Sequence, residues 1–430
     1  QSNIQIESVV GKIQEFNLEK IAKGRWPECT FATTSAIWQD YQITNSNLTI
    51  NPIQYPEIQL IGSVHSALGN IKLSSTMDRA DLSGTLDAQG HLNILPLLSN
   101  NIKQQLPEYR FLSLPYCKLN VQIEEQLKLN KINYKVKSQN LELARIAFDS
   151  MNISGNYDGT TLKVNSLTFD RSDQYFDMNL LWNTKIQSYQ SELKGFIIPN
   201  EYNEIMPKWW GSIFNDNFEF NSNSLLYGDF IIAGDLKPFV RTSFYGSIRG
   251  ENLSYKSVPV ASGSLILLGQ NNYSEISQLS AISPFGHING NIQFTQFRDE
   301  IQSLASIRYD IDAKLPIKYA RKLVSKKIES SFASFSSEQA ASISFSGAQF
   351  RESFYPQFQK KSYLHLAIDS NGPVNYCGNP LDYLRFNLTS ARDLVSIREL
   401  YFGYATGNGS GGIDILNSTH SPEFCTQLSL

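Results

Sequence analysis

The chain has 430 residues, of which 41% are hydrophobic and 12% aromatic, enough apolar material for a substantial core. Charged residues make up only 18%, and the formal net charge is −3 with an isoelectric point near 6.0. A nucleic-acid-binding protein needs a basic face, so this balance argues against that class. No stretch approaches the roughly 20 apolar residues that a membrane-spanning helix requires. Because the chain starts at Gln1 rather than Met, we expect a mature or truncated product.

Four cysteines and five histidines are scattered along the chain without the short spacings of a metal site. The cysteines are Cys29, Cys117, Cys377 and Cys425, and none belongs to a CxxC pair. One or two disulfides, with Cys377 and Cys425 nearest in sequence, fit this spacing as well as buried free thiols do. The sequence contains no GxSxG, P-loop or GxGxxG motif. We therefore predict a non-enzymatic protein with no catalytic residue, no metal ion and no cofactor.

Three segments share one pattern of apolar residues and glycines. Leu167, Leu279 and Leu400 anchor the copies at spacings of 112 and 121 residues, and each copy repeats the pattern at −3, +2, +9, +11, +13 and +15. A weaker fourth copy runs from Leu48 to Val64, with one extra residue in its turn. A period this long indicates repeated supersecondary units rather than the short coils of a β-helix. The three copies are Val164, Leu167, Phe169, Phe176, Met178, Leu180 and Trp182; Ile276, Leu279, Ala281, Ile288, Gly290, Ile292 and Phe294; and Ile397, Leu400, Phe402, Gly409, Gly411, Ile413 and Ile415.

Each copy has the pattern of a β-hairpin. Positions +9 to +15 alternate between apolar and polar residues, and turn-forming residues such as Ser283 and Pro284 separate the two halves. Alternation with a period of two places the apolar side chains on one face of a sheet and the polar ones on the other. The sequence therefore predicts a mostly β fold. We expect an elongated, repeat-built antiparallel sheet, curled into a groove or packed on itself, with short intervening helices.

Short helices are predicted between the hairpins, about one per period. Leu98, Ile102 and Leu106 have helical spacing, residues 202–214 carry a Trp-rich stripe, and residues 317–328 carry a basic amphipathic one. We accordingly divide the chain into four β-rich units. They are residues 1–110 with a terminal helix, 111–220 with the Trp-rich helix, 221–330 with the basic helix, and the C-terminal residues 331–430.

Residues 279–294, with the sequence LSAISPFGHINGNIQF, resemble the repeating core of AsmA-like proteins. Residues 244–260 (FYGSIRGENLSYKSVPV) and residues 372–388 resemble it in the same way. The resemblance implies a bacterial cell-envelope protein in the periplasm, anchored to the inner membrane through a segment absent from this chain. It also implies lipid transport and outer-membrane biogenesis, since the large members of the family resemble bridge-like lipid-transfer proteins with an apolar groove.

The apolar face of the predicted sheet is the candidate binding surface. A sixteen-carbon acyl chain gains about 12 kcal/mol on leaving water, at roughly 0.8 kcal/mol per CH₂, so a groove needs no specific polar contact to hold it. The same face also fits a closed core, in which it meets another sheet or the helices. The residues alone favour the closed core, and the family resemblance makes the two interpretations about equal. The predicted groove-lining residues are Phe176, Met178, Leu180, Trp182, Ile288, Ile292, Phe294, Ile413 and Ile415.

Two further features are candidates for contact with a membrane. The basic helix resembles helices that lie on anionic membrane surfaces, although we favour packing of its apolar stripe onto the sheet. Trp209 and Trp210 fit either an interfacial anchor or the aromatic end of a sheet core. The basic side chains of the helix are Lys318, Arg321, Lys322, Lys326 and Lys327.

The expected function is that of a non-enzymatic envelope module that holds or conducts acyl chains along its apolar face. Its expected partner is phospholipid or another acyl lipid, together with the envelope membranes, and not nucleic acid. The first alternative is a structural or adhesive β-repeat scaffold with a packed core. A polysaccharide-active enzyme on a β fold is the third interpretation.

Overall fold

The computed structural model is almost entirely β-sheet. Strand makes up 82% of it, against the roughly 20–25% of an ordinary soluble protein. The mostly β, antiparallel fold predicted from the alternation is therefore confirmed. The structure describes residues 4–6, 10–13, 29–33, 36–38, 41–52, 56–78, 80–93, 109–125, 128–143, 145–172, 174–202, 217–236, 241–296, 304–323, 333–351, 362–391, 393–417 and 422–429.

The chain forms two compact units. Unit 1 comprises Gln1–Gly195 and Gly234–Val240, and unit 2 comprises Phe196–Ala233 and Arg241–Leu430. The division into four β-rich units follows the period of the hairpins rather than compactness, and it remains a prediction.

The strands that belong wholly or mostly to unit 1 are numbered β1 to β15. They are β1 (Ile4–Ile6), β2 (Val10–Ile13), β3 (Cys29–Thr33), β4 (Ala36–Trp38), β5 (Tyr41–Pro52), β6 (Glu57–Ser66), β7 (Gly69–Asp78), β8 (Gly84–Leu92), β9 (Tyr109–Phe111), β10 (Tyr116–Glu124), β11 (Lys128–Leu143), β12 (Ile146–Tyr157), β13 (Thr161–Arg171), β14 (Gln174–Asn183) and β15 (Ser188–Ile197).

Most strands of unit 1 pair antiparallel with their neighbour in the chain. This holds from β5 to β8 and from β10 to β14. β8 pairs with β10, because the short β9 lies along β11 instead. At the N-terminal end β3 and β4 both pair with β5, while β2 pairs with β3 and β1 with β4.

Unit 2 contains the remaining strands, one short helix among its described residues, and a 3₁₀ turn at Pro199–Tyr202. The elements are β16 (Phe218–Asp235), β17 (Arg241–Tyr255), β18 (Val258–Gln270), β19 (Tyr273–Ser283), β20 (Gly286–Gln296), β21 (Leu304–Pro316), α1 (Ile317–Leu323), β22 (Phe335–Ser337), β23 (Ala340–Phe350), β24 (Tyr363–Ser370), β25 (Val374–Tyr376), β26 (Asn379–Leu381), β27 (Tyr383–Ala391), β28 (Leu394–Tyr404), β29 (Gly407–Asn417) and β30 (Pro422–Ser429).

The main sheet of unit 2 is also antiparallel and nearly sequential. Each strand from β17 to β21 pairs with the next. The order then continues through β23, β24, β27, β28, β29 and β30. The strands omitted from this order, β22, β25 and β26, form a small separate sheet.

The three predicted repeats are the hairpins β13–β14, β19–β20 and β28–β29. In every copy the anchor faces position +11, position −3 faces +13, and position +2 faces +9. In the second copy, for example, Leu279 faces Gly290 and Ile276 faces Ile292. The repeat predicted from the sequence is therefore one structural unit used three times. The weaker fourth copy is the β5–β6 hairpin, in which Leu48 faces Gly62.

A register shift occurs at the same point of all three hairpins, between positions −3 and 0. These two residues are three apart in sequence, whereas their partners at +13 and +11 are two apart. Residues three apart in a regular strand point to opposite faces, but the extra residue of a β-bulge returns both to the same face. In the later two copies the bulge contains Gln278 and Glu399, with φ of 51° and 50°. The odd spacing in the sequence thus encodes the bulge.

Cross-strand pairing gives unit 2 one apolar and one polar face. Most positions adjacent in sequence to an apolar-face residue carry a polar side chain, as expected for an antiparallel sheet with one solvated face. One apolar row crosses eight strands and consists of Leu279, Gly290, Ile311, Phe345, Leu366, Leu388, Ile397 and Ile413. A polar row on the other face consists of Asn291, Asp310, Ser346, His365, Thr389 and Ser396.

One end of the apolar face of unit 2 is covered by α1 and the small sheet β22–β25–β26, which we call the cap. Leu315 and Val374 are completely buried there. The ring of Phe335, on β22, lies 6.2 Å from that of Phe386 between centroids. The first N–H group of the helix, on Ile317, donates a hydrogen bond to Ser337 Oγ at 2.9 Å. The cap and the strand ends beneath it form one hydrophobic core cluster of this unit.

α1 is the first part of the predicted basic helix, and Ile317 and Ala320 of its apolar stripe are buried as expected. Residues 324–332 lie outside the described residues. The same is true of the helix predicted around Leu98, Ile102 and Leu106, and of residues 203–216 of the Trp-rich segment.

Aromatic rings lie over glycines on neighbouring strands of the apolar faces. Tyr134 covers Gly155, Phe244 covers Gly269, Tyr309 covers Gly347, and Phe402 covers Gly409. In each pair the two residues are direct cross-strand partners. A Cβ on the glycine would come within 2.1 to 2.7 Å of the ring, so only glycine lets the ring lie flat against the sheet. This contact explains Gly409, one of the glycines of the repeated pattern.

Replacing such a glycine should destabilise unit 2. We expect Gly269→Ala to cost about 1–3 kcal/mol in the free energy of unfolding, because its Cβ would overlap Phe244. Gly263→Ala in the same strand is the matched control, since its Cβ would meet nothing closer than 3.4 Å. Urea unfolding followed by circular dichroism measures both variants. Equal stability of the two would contradict the role assigned to the ring–glycine contact.

Candidate functional site

The apolar face of unit 1 is continuous across ten strands. A row of facing residues crosses from β3 to β14 and consists of Phe31, Leu48, Gly62, Leu73, Ala88, Leu119, Tyr134, Gly155, Val164 and Leu180. Phe31 and Leu48 are 39% and 36% exposed. Leu73, Leu119 and Leu180 are half-buried. A contiguous apolar surface left this open on a folded unit is typical of a binding site.

The four groove-lining residues predicted in unit 1 lie on this face, at alternate positions of β14. Phe176, Met178, Leu180 and Trp182 face Phe169, Leu167, Val164 and Leu162 on β13, and all four are half-buried. The Phe169 ring contacts both Phe176, at 6.2 Å between centroids, and Phe148, at 5.0 Å. The structure therefore brings these four predicted residues together in one stripe.

Trp182 carries the one polar atom of this stripe. Its indole Nε1 is buried and has no hydrogen-bond partner among the described residues. A buried tryptophan N–H group normally donates a hydrogen bond. Otherwise the stripe offers only carbon and sulfur atoms, a surface that binds by exclusion of water rather than by polar recognition.

The five predicted residues of unit 2 also lie on one face, but with different burial. Ile288 belongs to the buried cluster near the cap and is 8% exposed. Ile292, Phe294, Ile413 and Ile415 are half-buried. Ile288 therefore belongs to the closed core beneath the cap, whereas the other four residues are partly accessible.

Two tyrosine hydroxyl groups on the apolar faces lie in buried surroundings. Burial raises the pKa of Tyr134 and is the main cause of a raised pKa at Tyr309. Both rings are among those that lie over glycines. Tyr134 Oη donates a hydrogen bond to the carbonyl of Lys163 at 3.3 Å, so its polar end is satisfied.

The basic residues of α1 contact other parts of unit 2. Lys318 Nζ forms an ion pair with Glu338, and that contact is the main reason why the pKa of Lys318 is raised. Arg321 Nη1 donates a hydrogen bond to the carbonyl of Ala333 at 3.1 Å. Lys322 is half-buried. Binding of this helix to a membrane surface remains a prediction, and Lys326 and Lys327 lie outside the described residues.

In the described part of the chain, no group of three or more His, Cys, Asp or Glu side chains is placed to hold a metal ion. Every described helical segment is too short to cross a membrane. Cys117, Cys377 and Cys425 carry free thiols.

Comparison of the chain with protein-family models, with curated proteins and with solved structures finds no match.

Two features of the site were missed in the sequence. The aromatic–glycine pairs have a detectable signal, since an aromatic residue and a glycine occupy the +2 and +9 positions of the third repeat as Phe402 and Gly409. The small sheet of the cap was also missed, because β22, β25 and β26 have three residues each and show no periodicity over so short a length.

The thiol of Cys117 should be unreactive in the folded protein. Cys117 lies on the apolar face of unit 1, and burial raises its pKa to about 11. Because the thiolate is the reactive species, iodoacetamide at pH 8 should label Cys377 and Cys425 and leave Cys117 unlabelled until urea is added. Peptide mapping by mass spectrometry checks this.

The raised pKa of Cys117 also makes the stability of the folded protein depend on pH. The stabilisation from the neutral thiol is complete below its ordinary pKa of 9.0 and is lost as the pH rises through about 11. Labelling of Cys117 in the native protein as fast as Cys377 would show that this part of the face is not packed as described.

Proposed function

We propose that the protein is a non-enzymatic module that holds or conducts lipid acyl chains along its apolar sheet faces. The observation that carries the proposal is the apolar row of unit 1, which crosses ten strands and remains half-buried or exposed along much of its length. A soluble protein rarely leaves so much apolar surface in contact with water unless a ligand or partner covers it.

The driving force for acyl binding is sufficient even on an open surface. Complete burial of a sixteen-carbon chain gives about 12 kcal/mol, at roughly 0.8 kcal/mol per CH₂. A chain lying on one face exposes its other side to water, so it gains only part of this amount. Several kcal/mol remain after that reduction, which favours weak and mobile holding over tight binding at a fixed point.

The flat surface of the apolar face supports binding along its length. Rings such as Tyr134 and Phe402 lie flat over Gly155 and Gly409 rather than standing off the sheet. A flat aromatic surface presents large apolar area without projecting side chains that would block an extended hydrocarbon. The absence of charged side chains from the row that crosses unit 1 has the same effect.

The resemblance to AsmA-like proteins supports the same function from the sequence. On that basis we propose a location in the bacterial periplasm, anchorage to the inner membrane, and phospholipid or another acyl lipid as the partner. Transport between the envelope membranes and a role in outer-membrane biogenesis belong to this proposal.

A structural scaffold is the second candidate, and the cap favours it. Leu315, Ile317 and Val374 are at most 2% exposed, which is the burial of a closed core. The two functions therefore differ in what covers the uncapped part of the face. Lipid holding requires that surface to take up hydrocarbon, whereas a scaffold requires another protein surface there.

The deciding experiment is native mass spectrometry of the purified protein, followed by organic extraction and lipid analysis. We expect phospholipid at near-stoichiometric amounts. A protein that carries no lipid, and that takes none from added phospholipid vesicles, would contradict the proposal and favour the scaffold.

Two substitutions test which surface holds the lipid. Met178→Asp and Ile292→Asp place a carboxylate on the half-buried part of each apolar face, and each should reduce retained lipid by roughly tenfold or more, because the charge would have to be desolvated. Asn291→Asp is the matched control, since it adds the same charge on the polar face beside Ile292. It also keeps the oxygen that accepts the Gln278 N–H group at 3.1 Å.

Circular dichroism separates loss of binding from loss of folding. Ile288 is unsuitable for this test because it lies in the buried core cluster. Retention of lipid by both carboxylate variants at the level of Asn291→Asp would show that the apolar faces do not hold it.

A further inference from the structure

The polar face of unit 1 carries four lysines on three strands, which we call the lysine patch. Lys118 on β10 directly faces Lys135 on β11, and Lys137 on β11 faces Tyr116. On the other side of β10, Lys118 faces Gln89 on β8, which in turn faces Lys72 on β7. All four lysine side chains are exposed. Neighbouring strands lie about 4.8 Å apart, so Lys118 is adjacent to Lys135, and the four lysines lie within three strand spacings, about 14 Å, of one another.

This arrangement is electrostatically unfavourable for the protein alone. Like charges placed directly opposite each other on adjacent strands destabilise a sheet, and Lys118 and Lys135 are such a pair. Within the described residues none of the four lysines forms an ion pair. The carboxylate nearest in register is Asp87, which accepts a hydrogen bond from Asn120 Nδ2 at 2.9 Å. The patch therefore has a local positive charge in a chain whose formal net charge is −3.

Several basic residues elsewhere on the polar surfaces form ion pairs. In unit 2 Arg385 lies 3.7 Å from Asp369, and Arg398 forms an ion pair with Asp414. In unit 1 Lys194 lies 3.8 Å from Asp177. The four lysines around β10 lack such carboxylate partners among the described residues, and two of them, Lys118 and Lys135, face each other directly. Their charge is complementary to an anion supplied from outside.

The surface beside the lysines is suited to hydrogen bonding with neutral hydroxyl groups. An open depression of about 550 Å³ lies between Lys72 and Lys118. Amide and hydroxyl side chains supply most of its remaining polar lining. These are Asn47, Thr49, Ser63, Ser74 and Gln89, and Asp87 supplies the one carboxylate of the lining.

Tyr116 provides an aromatic surface within the patch. Its hydroxyl donates a hydrogen bond to Gln89 Oε1 at 3.2 Å, and its ring packs edge-to-face against His91 at 5.6 Å between centroids. These contacts hold the half-buried ring in place beside Lys118 and Lys137. Aromatic rings held in this way bind the C–H face of a pyranose, while adjacent ammonium groups bind phosphate oxygens.

We propose that the lysine patch is a binding site for a phosphorylated saccharide. The phosphate lies between Lys118, Lys135 and Lys137, and the sugar ring packs on Tyr116 with its hydroxyls toward the depression. The site lies on the opposite face of unit 1 from the apolar row, so it does not depend on the proposed lipid function.

Saturation-transfer NMR tests the site with glucose 1-phosphate, glucose and inorganic phosphate as probes. We expect saturation transfer to the ring protons of glucose 1-phosphate at low ionic strength and its loss in high salt, because the lysines are exposed. Lys118→Gln combined with Lys135→Gln should weaken binding roughly tenfold or more. Lys128→Gln combined with Lys185→Gln is the control, since it removes the same charge from exposed positions outside the patch.

A second variant separates the sugar from the phosphate. Tyr116→Leu removes the aromatic surface and keeps all four lysines. It should therefore weaken binding of glucose 1-phosphate, whereas the affinity for inorganic phosphate, measured by competition, should be unchanged. The patch double variant should fold normally, because it removes a repulsive pair.

Three outcomes would overturn the proposal. The first is unchanged binding in the Lys118→Gln, Lys135→Gln variant. The second is equal weakening in the control variant, which would indicate nonspecific attraction to the net charge. The third is equal affinity for inorganic phosphate and glucose 1-phosphate, together with no effect of Tyr116→Leu, which would leave a phosphate site without a saccharide.

Discussion

Cross-strand register is the constraint on which the rest of this structure depends. Side chains alternate between the faces of a strand, so a slip of one residue would move every apolar side chain of that strand to the polar face. The bulge between Ile276 and Leu279, and its counterparts in the other two repeated hairpins, keep the register by absorbing one extra residue. The apolar rows of both units exist because this correction is made at the same point each time.

The two faces of each sheet consequently differ in chemistry. The apolar face is built from aliphatic and aromatic residues, with glycines under rings such as Phe244 and Phe402. Its burial varies along the strands of unit 2, because α1 and the small sheet cover only one end. The same set of residues is therefore closed core at that end and accessible surface beyond it. Both a packed interior and an accessible apolar surface arise from a single alternating pattern.

The polar face has its own variation in charge. Ion pairs such as Arg385 with Asp369 neutralise it in unit 2, and amide contacts such as Asn179 with Glu192 and Asn133 with Asn120 occur in unit 1. The lysine patch departs from both patterns. Its charges face one another across β10 and β11 without a carboxylate partner, an arrangement that gains nothing for folding. The direct facing of Lys118 and Lys135 is the basis for assigning an external anion to the patch.

The sequence by itself determined the strands, the one-sided alternation, the repeat and even the position of the bulge, because all of these depend on spacing between residues close together in the chain. It therefore predicted the fold class, and it predicted that Phe176, Met178, Leu180 and Trp182 share a face. Only the tertiary structure decided which of the apolar residues are covered. Ile288 and Ile292 have the same pattern in sequence, but Ile288 lies in the cluster beneath the cap and Ile292 does not.

The lysine patch likewise required the tertiary structure. Lys72 and Lys135 are 63 residues apart in the chain, and β9 interrupts the sequential pairing between them. Their proximity follows from the pairing of β8 with β10, which is a choice among non-local partners. Local periodicity in the sequence predicts the face of the sheet on which a side chain lies. Hydrogen bonding between distant strands decides which side chains become neighbours on that face.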